Sequence, residues 1–293
     1  MRYAQGMNNV KTAALLAFLG ALFVGVGFLL SGPQGGLFAL GFAVVLNFGI
    51  YFFSDRIALK SAKAKPIAPG DLPNVRSTVA SLAQREGMPM PNLYVIDSPQ
   101  PNAFATGRSP KKAAVAVTTG ILELLDHREL EGVLAHELSH VKNRDVLIAT
   151  IAATIAAALT FLARIAFWSG LSGRRRDGNA LTAIVGLVAM IIAPIAAAVI
   201  QMAISRSREF EADHDGAEVT GSPLALASAL QKISVGVSRV PMDVNPAVSQ
   251  LFIADPLKAF GSKGRRGQMG KMFSTHPPVE DRIERLEKMA YGL

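Results

Sequence analysis

The chain has 293 residues, 50% hydrophobic and only 18% charged, a composition apolar for a water-soluble protein of this length. It contains no cysteine, which excludes disulfides and thiolate metal sites, so any metal must be held by His, Asp or Glu. The net charge of +8 accompanies no nucleic-acid-binding motif, and many of the lysines and arginines flank apolar runs, as anionic lipid headgroups favour.

From Thr12 to Ser54 no side chain is charged, and "SGPQGG" at 31–36 divides the stretch. Each half has about 20 residues, enough at ~1.5 Å per residue to match a ~30 Å hydrocarbon core. A cleavable leader has an apolar region of about 7–15 residues, whereas this one is longer and a second apolar segment follows at once, so residues 1–54 are expected to form a retained transmembrane hairpin. Arg2 and Lys11 precede it, its loop has no cation, and Arg56, Lys60, Lys63 and Lys65 follow it. The positive-inside rule then puts both ends of the hairpin in the cytoplasm.

Residues 55–145 read as a mixed α/β unit. Leu72, Val75, Val79 and Leu82 have helical spacing and the pattern stops at Gly87. "NLYVID" and "KAAVAVTTG" read as strands, with "NAFATG" between them as a short edge strand. "DHRE" offers a capping box, Asp126 with Glu129 three residues on, ahead of a helix whose apolar stripe is Leu130, Val133, Leu134, Leu138 and Val141.

On another face of that helix stand His136 and His140 of "HELSH". Side chains four apart on a helix project together, so two imidazoles can meet one Zn²⁺ at about 2.0–2.1 Å, with Glu137 beside a metal-bound water as general base. His127, in the first turn, has no expected chemistry.

Two more apolar runs follow, 146–163 and 178–205, forming a second hairpin over residues 146–205. Both are long enough to span, although "GRRRDG" between them would then face outward against the positive-inside rule, so this hairpin either overrides the rule or does not fully cross. Residues 206–293 return to polar sequence. Ser205 to Val219 reads helical, Ser222 and Pro223 start another helix as N-cap and N1, and a basic glycine-rich loop leads to "FSTHPPVEDRIERLEKMA", which ends in an amphipathic helix.

Catalytic zinc keeps three protein ligands, and a third can come from Glu209, Glu211, Asp213, His214 or Asp215. Helical periodicity puts Glu209 and Asp213 on one face and turns Glu211 about 200° away. His214 reads as a solvated helical residue.

"HELSH", "SREFEAD" and "STHPPVEDRI", in this order, with an apolar hairpin between the first two and two spans ahead of them, resemble the HtpX-type membrane zinc metalloproteases, relatives of the type I CAAX prenyl proteases. The likeness runs over nearly the whole chain. It implies an α+β integral membrane metalloprotease, mainly helical with a small sheet, an HExxH active-site helix and two apolar helical hairpins. It also implies one Zn²⁺ per chain on His136, His140 and Glu209, a gluzincin set, with Asp213, and less directly Asp145, holding a zinc histidine from behind. His276 and Arg282 would approach the substrate carbonyl, and Asn102, Ala103, Phe104 and Ala105 would pair with the substrate backbone. The activity implied is that of a multi-pass endopeptidase of the bacterial inner membrane, its peptidase domain cytoplasmic, acting on unfolded or damaged membrane proteins under stress. A processing protease for prenylated C-termini and a membrane scaffold with a structural zinc are the competing expectations.

Overall fold

The computed structural model describes residues 2–155, 206–245, 248–260 and 277–292. His276, the "GRRRDG" loop and residues 156–205 of the second apolar hairpin lie outside the described residues.

Helix α1, Arg2–Ser61, is broken at Ser31 and Gly32, the latter at φ 60°. Glycine tolerates that conformation, and Pro33, with its fixed φ and no N–H, suits the start of a new helical arm. The arms fold back on each other. Asn47 Nδ2 donates to the Leu16 carbonyl at 2.9 Å, the Phe23 and Phe42 rings meet edge to face at 5.3 Å, and a Cβ at Gly35 would run into the Gly27 carbonyl. The expected hairpin is present, with its turn at the first two residues of "SGPQGG". Its second arm, Ser31–Ser61, has mean hydropathy 2.0 and is long and apolar enough to cross a membrane. The first contributes a shorter apolar helix, Val10–Gly25.

Four strands follow: β1, Lys65–Pro66; β2, Asn92–Ile96; β3, Ala103–Thr106; and β4, Ala114–Thr118. They form one sheet in the order β1-β2-β4-β3, with β2 and β4 parallel and the outer strands antiparallel to their neighbours. Alternation along β4 sends Val115 and Val117 to one face and Ala114 and Ala116 to the other, and all four are buried because both faces are covered. β1 lacks the β-branched pattern of a strand and is specified only by its pairing with β2.

On the valine face lie α2, Pro73–Arg85; α3, Thr119–Leu124; α4, His127–Lys142; α6, Arg206–Thr220; α7, Pro223–Arg239; and α8, Val279–Tyr291. The whole expected stripe of α4 is buried there; Leu134 and Leu138, at 0% and 1% exposed, stabilise by roughly 2 kcal/mol each. The predicted capping box forms, with the Asp126 carboxylate accepting from Glu129 N–H and Glu129 accepting from Asp126 N–H. Pro223 is the first residue of α7 as expected, but Ser222 makes no side-chain cap.

The alanine face is covered by the end of α1, by residues 242–244 and 248–257, and by α5, Asp145–Ile155. The start of the second expected hairpin is buried here: Val146, Leu147, Ile148, Ile151 and Ile155 are all at most 5% exposed inside the protein. Thr150, fully buried, shares a 3.0 Å hydrogen bond with Thr106 at the end of β3.

Candidate metal centre and active site

α4 and α6 cross in close contact, and this contact assembles the site. Gly216 of α6 lies so near α4 that a Cβ there would come within 2.9 Å of His136 N, and a Cβ at Gly132 of α4 would meet Leu226 of α7 at 3.2 Å. The crossing brings Glu209 to the two histidines. Ligand atoms of His136, His140 and Glu209 all lie within 4.8 Å of one another, with Glu209 carboxylate oxygens 3.4 Å from His140 Nε2 and 4.0 Å from His136 Nε2. The two imidazole planes are nearly perpendicular at 88°.

Each ring is held through its other nitrogen. Asp213 Oδ1 is 2.9 Å from His136 Nδ1, and Asp145 Oδ2 is 3.2 Å from His140 Nδ1. Both Nε2 atoms are thereby left for the centre of the site, the orientation that a metal-ligating imidazole needs. The two carboxylates each meet a guanidinium. Asp213 is gripped by Arg282, Nε to Oδ2 at 2.7 Å and Nη2 to Oδ1 at 2.6 Å, and Asp145 Oδ1 is 3.5 Å from Arg208 Nε.

Burial and these charges set the protonation. Complete burial pushes the His136 imidazole down to about 4, against the pull of Asp213. Burial would raise the Asp213 carboxyl, but Arg282 outweighs it and takes it to about 2. Burial also disfavours charge on His140, yet hydrogen bonds donated by its ring to the Asp145 and Glu209 carboxylates hold it well above its ordinary value. The Arg282 guanidinium, desolvated but paired with Asp213, is held charged.

Whether a metal suits these residues can be tested on charge and donor type. Two imidazole nitrogens and one carboxylate form a donor set that zinc accepts. With both imidazoles neutral, as metal ligation requires, four carboxylates, Glu137, Asp145, Glu209 and Asp213, stand against the guanidiniums of Arg208 and Arg282, leaving two negative charges, those that a divalent cation neutralises. The residues fit the ion.

A cleft opens onto the site, lined by Glu137, His136, His140, Glu209, Asp145, Arg208, Val146, Ala149, Ala105 and residues 250–253. Arg282 is not among these residues. At 2% exposed it packs against His136 and does not line the cleft, its Nη1 donating to the Ile253 carbonyl at 3.3 Å and lying 3.8 Å from Glu209 Oε2. His276 lies outside the described residues, His127 is exposed in the first turn of α4, and His214 is exposed on α6.

The expected substrate strand is also corrected in part. β3 is an edge strand, but its outer side over Asn102, Ala103 and Phe104 is taken by the chain itself. Ile253 N–H donates to the Ala103 carbonyl at 2.9 Å, Asn102 Nδ2 donates to the Ala254 carbonyl at 2.8 Å, and Phe252 bridges Phe104 with its ring 4.9 Å away. Thr118 N–H donates to the Asn102 carbonyl from the inner side, so alternation turns Ala103 and Ala105 outward. Of the four expected residues, Ala105 alone lines the cleft.

Sequence reasoning missed Arg208 and residues 250–253. The one signal for Arg208 was its place directly before Glu209 in "SREFEAD"; residues 250–253 carry no motif.

The family model described as Peptidase family M48 matches residues 70–290. The "Protease HtpX homolog" of Thermodesulfovibrio yellowstonii is 49% identical over 286 residues, spanning 97% of this chain and 99% of its own, and that of Methylibium petroleiphilum is 47% identical over 285 residues, spanning 96% and 98%. Among solved structures, S. mikatae Ste24p has a similar fold, with TM-score 0.51 at 19% identity, covering 98% of this chain and 67% of its own.

Proposed function

The chain belongs to peptidase family M48, and from that premise we propose that it is a zinc-dependent endopeptidase of the bacterial inner membrane that degrades misfolded or damaged membrane proteins as part of stress-related quality control. The observation that carries the chemistry is the convergence of His136, His140 and Glu209, both rings turned inward by Asp213 and Asp145, with Glu137 in the same cleft. Zinc, when bound, polarises the scissile carbonyl and lowers the pKa of its water to around 7.

The chain's own residues do the rest. Glu137, beside the ligands, takes a proton from water and hands it to the leaving amine. Ala105, on the outward edge of β3, pairs with the substrate backbone. Asp213 keeps His136 aimed while burial and the Arg282 charge keep it neutral, and Asp145 aims His140 through its Nδ1. The membrane setting is supported by the apolar arm Ser31–Ser61 and by its exposed Phe38, Val45 and Phe48. Cations gathered after that arm favour the cytoplasmic side for the peptidase part.

The deciding experiment is zinc quantification together with casein cleavage in detergent for the wild type and Glu137→Gln. The variant should hold one zinc per chain and lose at least about 100-fold in rate, the scale of general-base catalysis. Undiminished cleavage by the variant would refute the mechanism. A variant that loses zinc would show Glu137 to be structural.

A further inference from the structure

The loop after β3 is tied to the apolar arm of α1. Arg108 Nη1 donates to the Phe52 carbonyl at 3.3 Å, and its guanidinium lies 4.8 Å from the Phe52 ring centre. At the same level Arg56 stacks over Phe53 at 5.5 Å. Phe52 and Phe53 end the uncharged stretch of the arm, just before Asp55 and Arg56, where a membrane-spanning helix meets the headgroups. The loop is compact as well as anchored. Gly107, at φ 136°, packs against the Lys112 backbone so closely that a Cβ would collide, and Lys112 N–H donates to the Ser109 carbonyl at 2.9 Å. Lys111 and Lys112 are exposed, Arg108 is partly exposed, and among the described residues no ion pair engages these three or Arg56.

We propose that residues 107–112 form a docking surface for the phosphate headgroups of anionic lipids, with Arg108, Lys111 and Lys112 as its cations and Arg56 beside them. Charge complementarity identifies the partner, since four cations with no ion pair among the described residues, beside an apolar belt, match a negative membrane surface, the Asp55 carboxylate accepting from the Arg56 backbone N–H. Stacking on Phe52 fixes the height of Arg108, and β3 ends two residues earlier, so a headgroup held here also sets the distance of the cleft from the bilayer. This inference rests on the reading that Ser31–Ser61 lies in the membrane.

The absence of cysteine makes the test direct. Full-length Ser109→Cys, labelled with a donor fluorophore, is reconstituted into vesicles carrying a headgroup-linked acceptor, made of phosphatidylcholine alone or mixed with phosphatidylglycerol. Energy transfer should be stronger in the mixed vesicles, and the excess should vanish as salt rises from ~0.1 to ~1 M and the Debye length shrinks from ~10 to ~3 Å. The excess should also be lost in Lys111→Gln/Lys112→Gln, which leaves the Arg108 staple intact. Equal transfer in both vesicles, or an excess indifferent to salt and to the double variant, would overturn the proposal. Failure of the underlying membrane reading gives a different result, release of the chain from vesicles by alkaline extraction.

Discussion

His140 and Asp145 face each other across a single left-handed residue, Asp145 Oδ2 lying 3.2 Å from His140 Nδ1 while Arg144 between α4 and α5 sits at φ 61°. Without that turn α4 would run straight on and Asp145 would leave the ring. A β-branched residue cannot adopt this conformation cheaply. Arg144→Val should therefore cost roughly 1–2 kcal/mol and weaken zinc binding, whereas Arg144→Gly should stay within about 1 kcal/mol of wild type. Denaturant melts with and without zinc distinguish the two; equal behaviour would remove the turn from the account.

The pair formed by Asp213 and Arg282 should appear in the acid stability of the chelated protein. Asp213 is held at about 2 against an ordinary 3.8, so its depressed value adds stability above 3.8 that is lost as pH falls through about 2. Asp213→Asn should abolish that dependence. The same change leaves a buried guanidinium without its carboxylate, with an expected loss of about 3–5 kcal/mol and a 10–100-fold weakening of zinc affinity. Thermal melts between pH 2 and 4, with chelator titrations at neutral pH, measure both.

Gly216 governs how near α6 can come to α4. Gly216→Val places a branched side chain against the His136 backbone, and the helices must separate. A loss of about 1–3 kcal/mol is expected, together with weaker zinc binding, because Glu209 moves with α6. Zinc affinity equal to wild type in a folded variant would show that the crossing does not set the ligand spacing.

Glu129 joins the start of α4 to α7. It caps Asp126 N–H and also accepts from Ser228 Oγ at 2.6 Å and Lys232 Nζ at 2.7 Å. Glu129→Ala should cost about 1–3 kcal/mol in denaturant unfolding, and Glu129→Gln, which can still cap, about half of that. Zinc content should be unchanged in both.

Zinc removal itself should lower the melting temperature. A ligand that binds only the folded state at 100 times its Kd adds about 2.7 kcal/mol. Calorimetry with and without chelator measures this, and the difference should disappear in His136→Ala.

Local pattern made much of this structure readable in advance. The capping box at Asp126 and Glu129, the i, i+4 histidines, the pairing of Glu209 with Asp213 and the alternation in "KAAVAVTTG" all act within one turn or one strand. What escaped were contacts made through space. Arg282 reaches Asp213 from 69 residues away, and Phe252 meets Phe104 from a segment with no strand pattern. Hydropathy also cannot say what covers an apolar helix. The run beginning at Val146 has the same composition whether its neighbours are lipid tails or the alanine face of a sheet, and up to Ile155 its neighbours are protein.

Phe252 and Ile253 give the protein's own chain the part of the β3 edge over Ala103 and Phe104. Under the proposed function, a polypeptide adding itself to the strand would begin at Ala105 and stop against an aromatic wall. So short a rail favours no particular side-chain sequence, but it does require a backbone already stripped of its own hydrogen-bond partners. Selection at such an edge would be by loss of structure: an intact helix or sheet has no unclaimed amide to offer, and an unravelled segment has many.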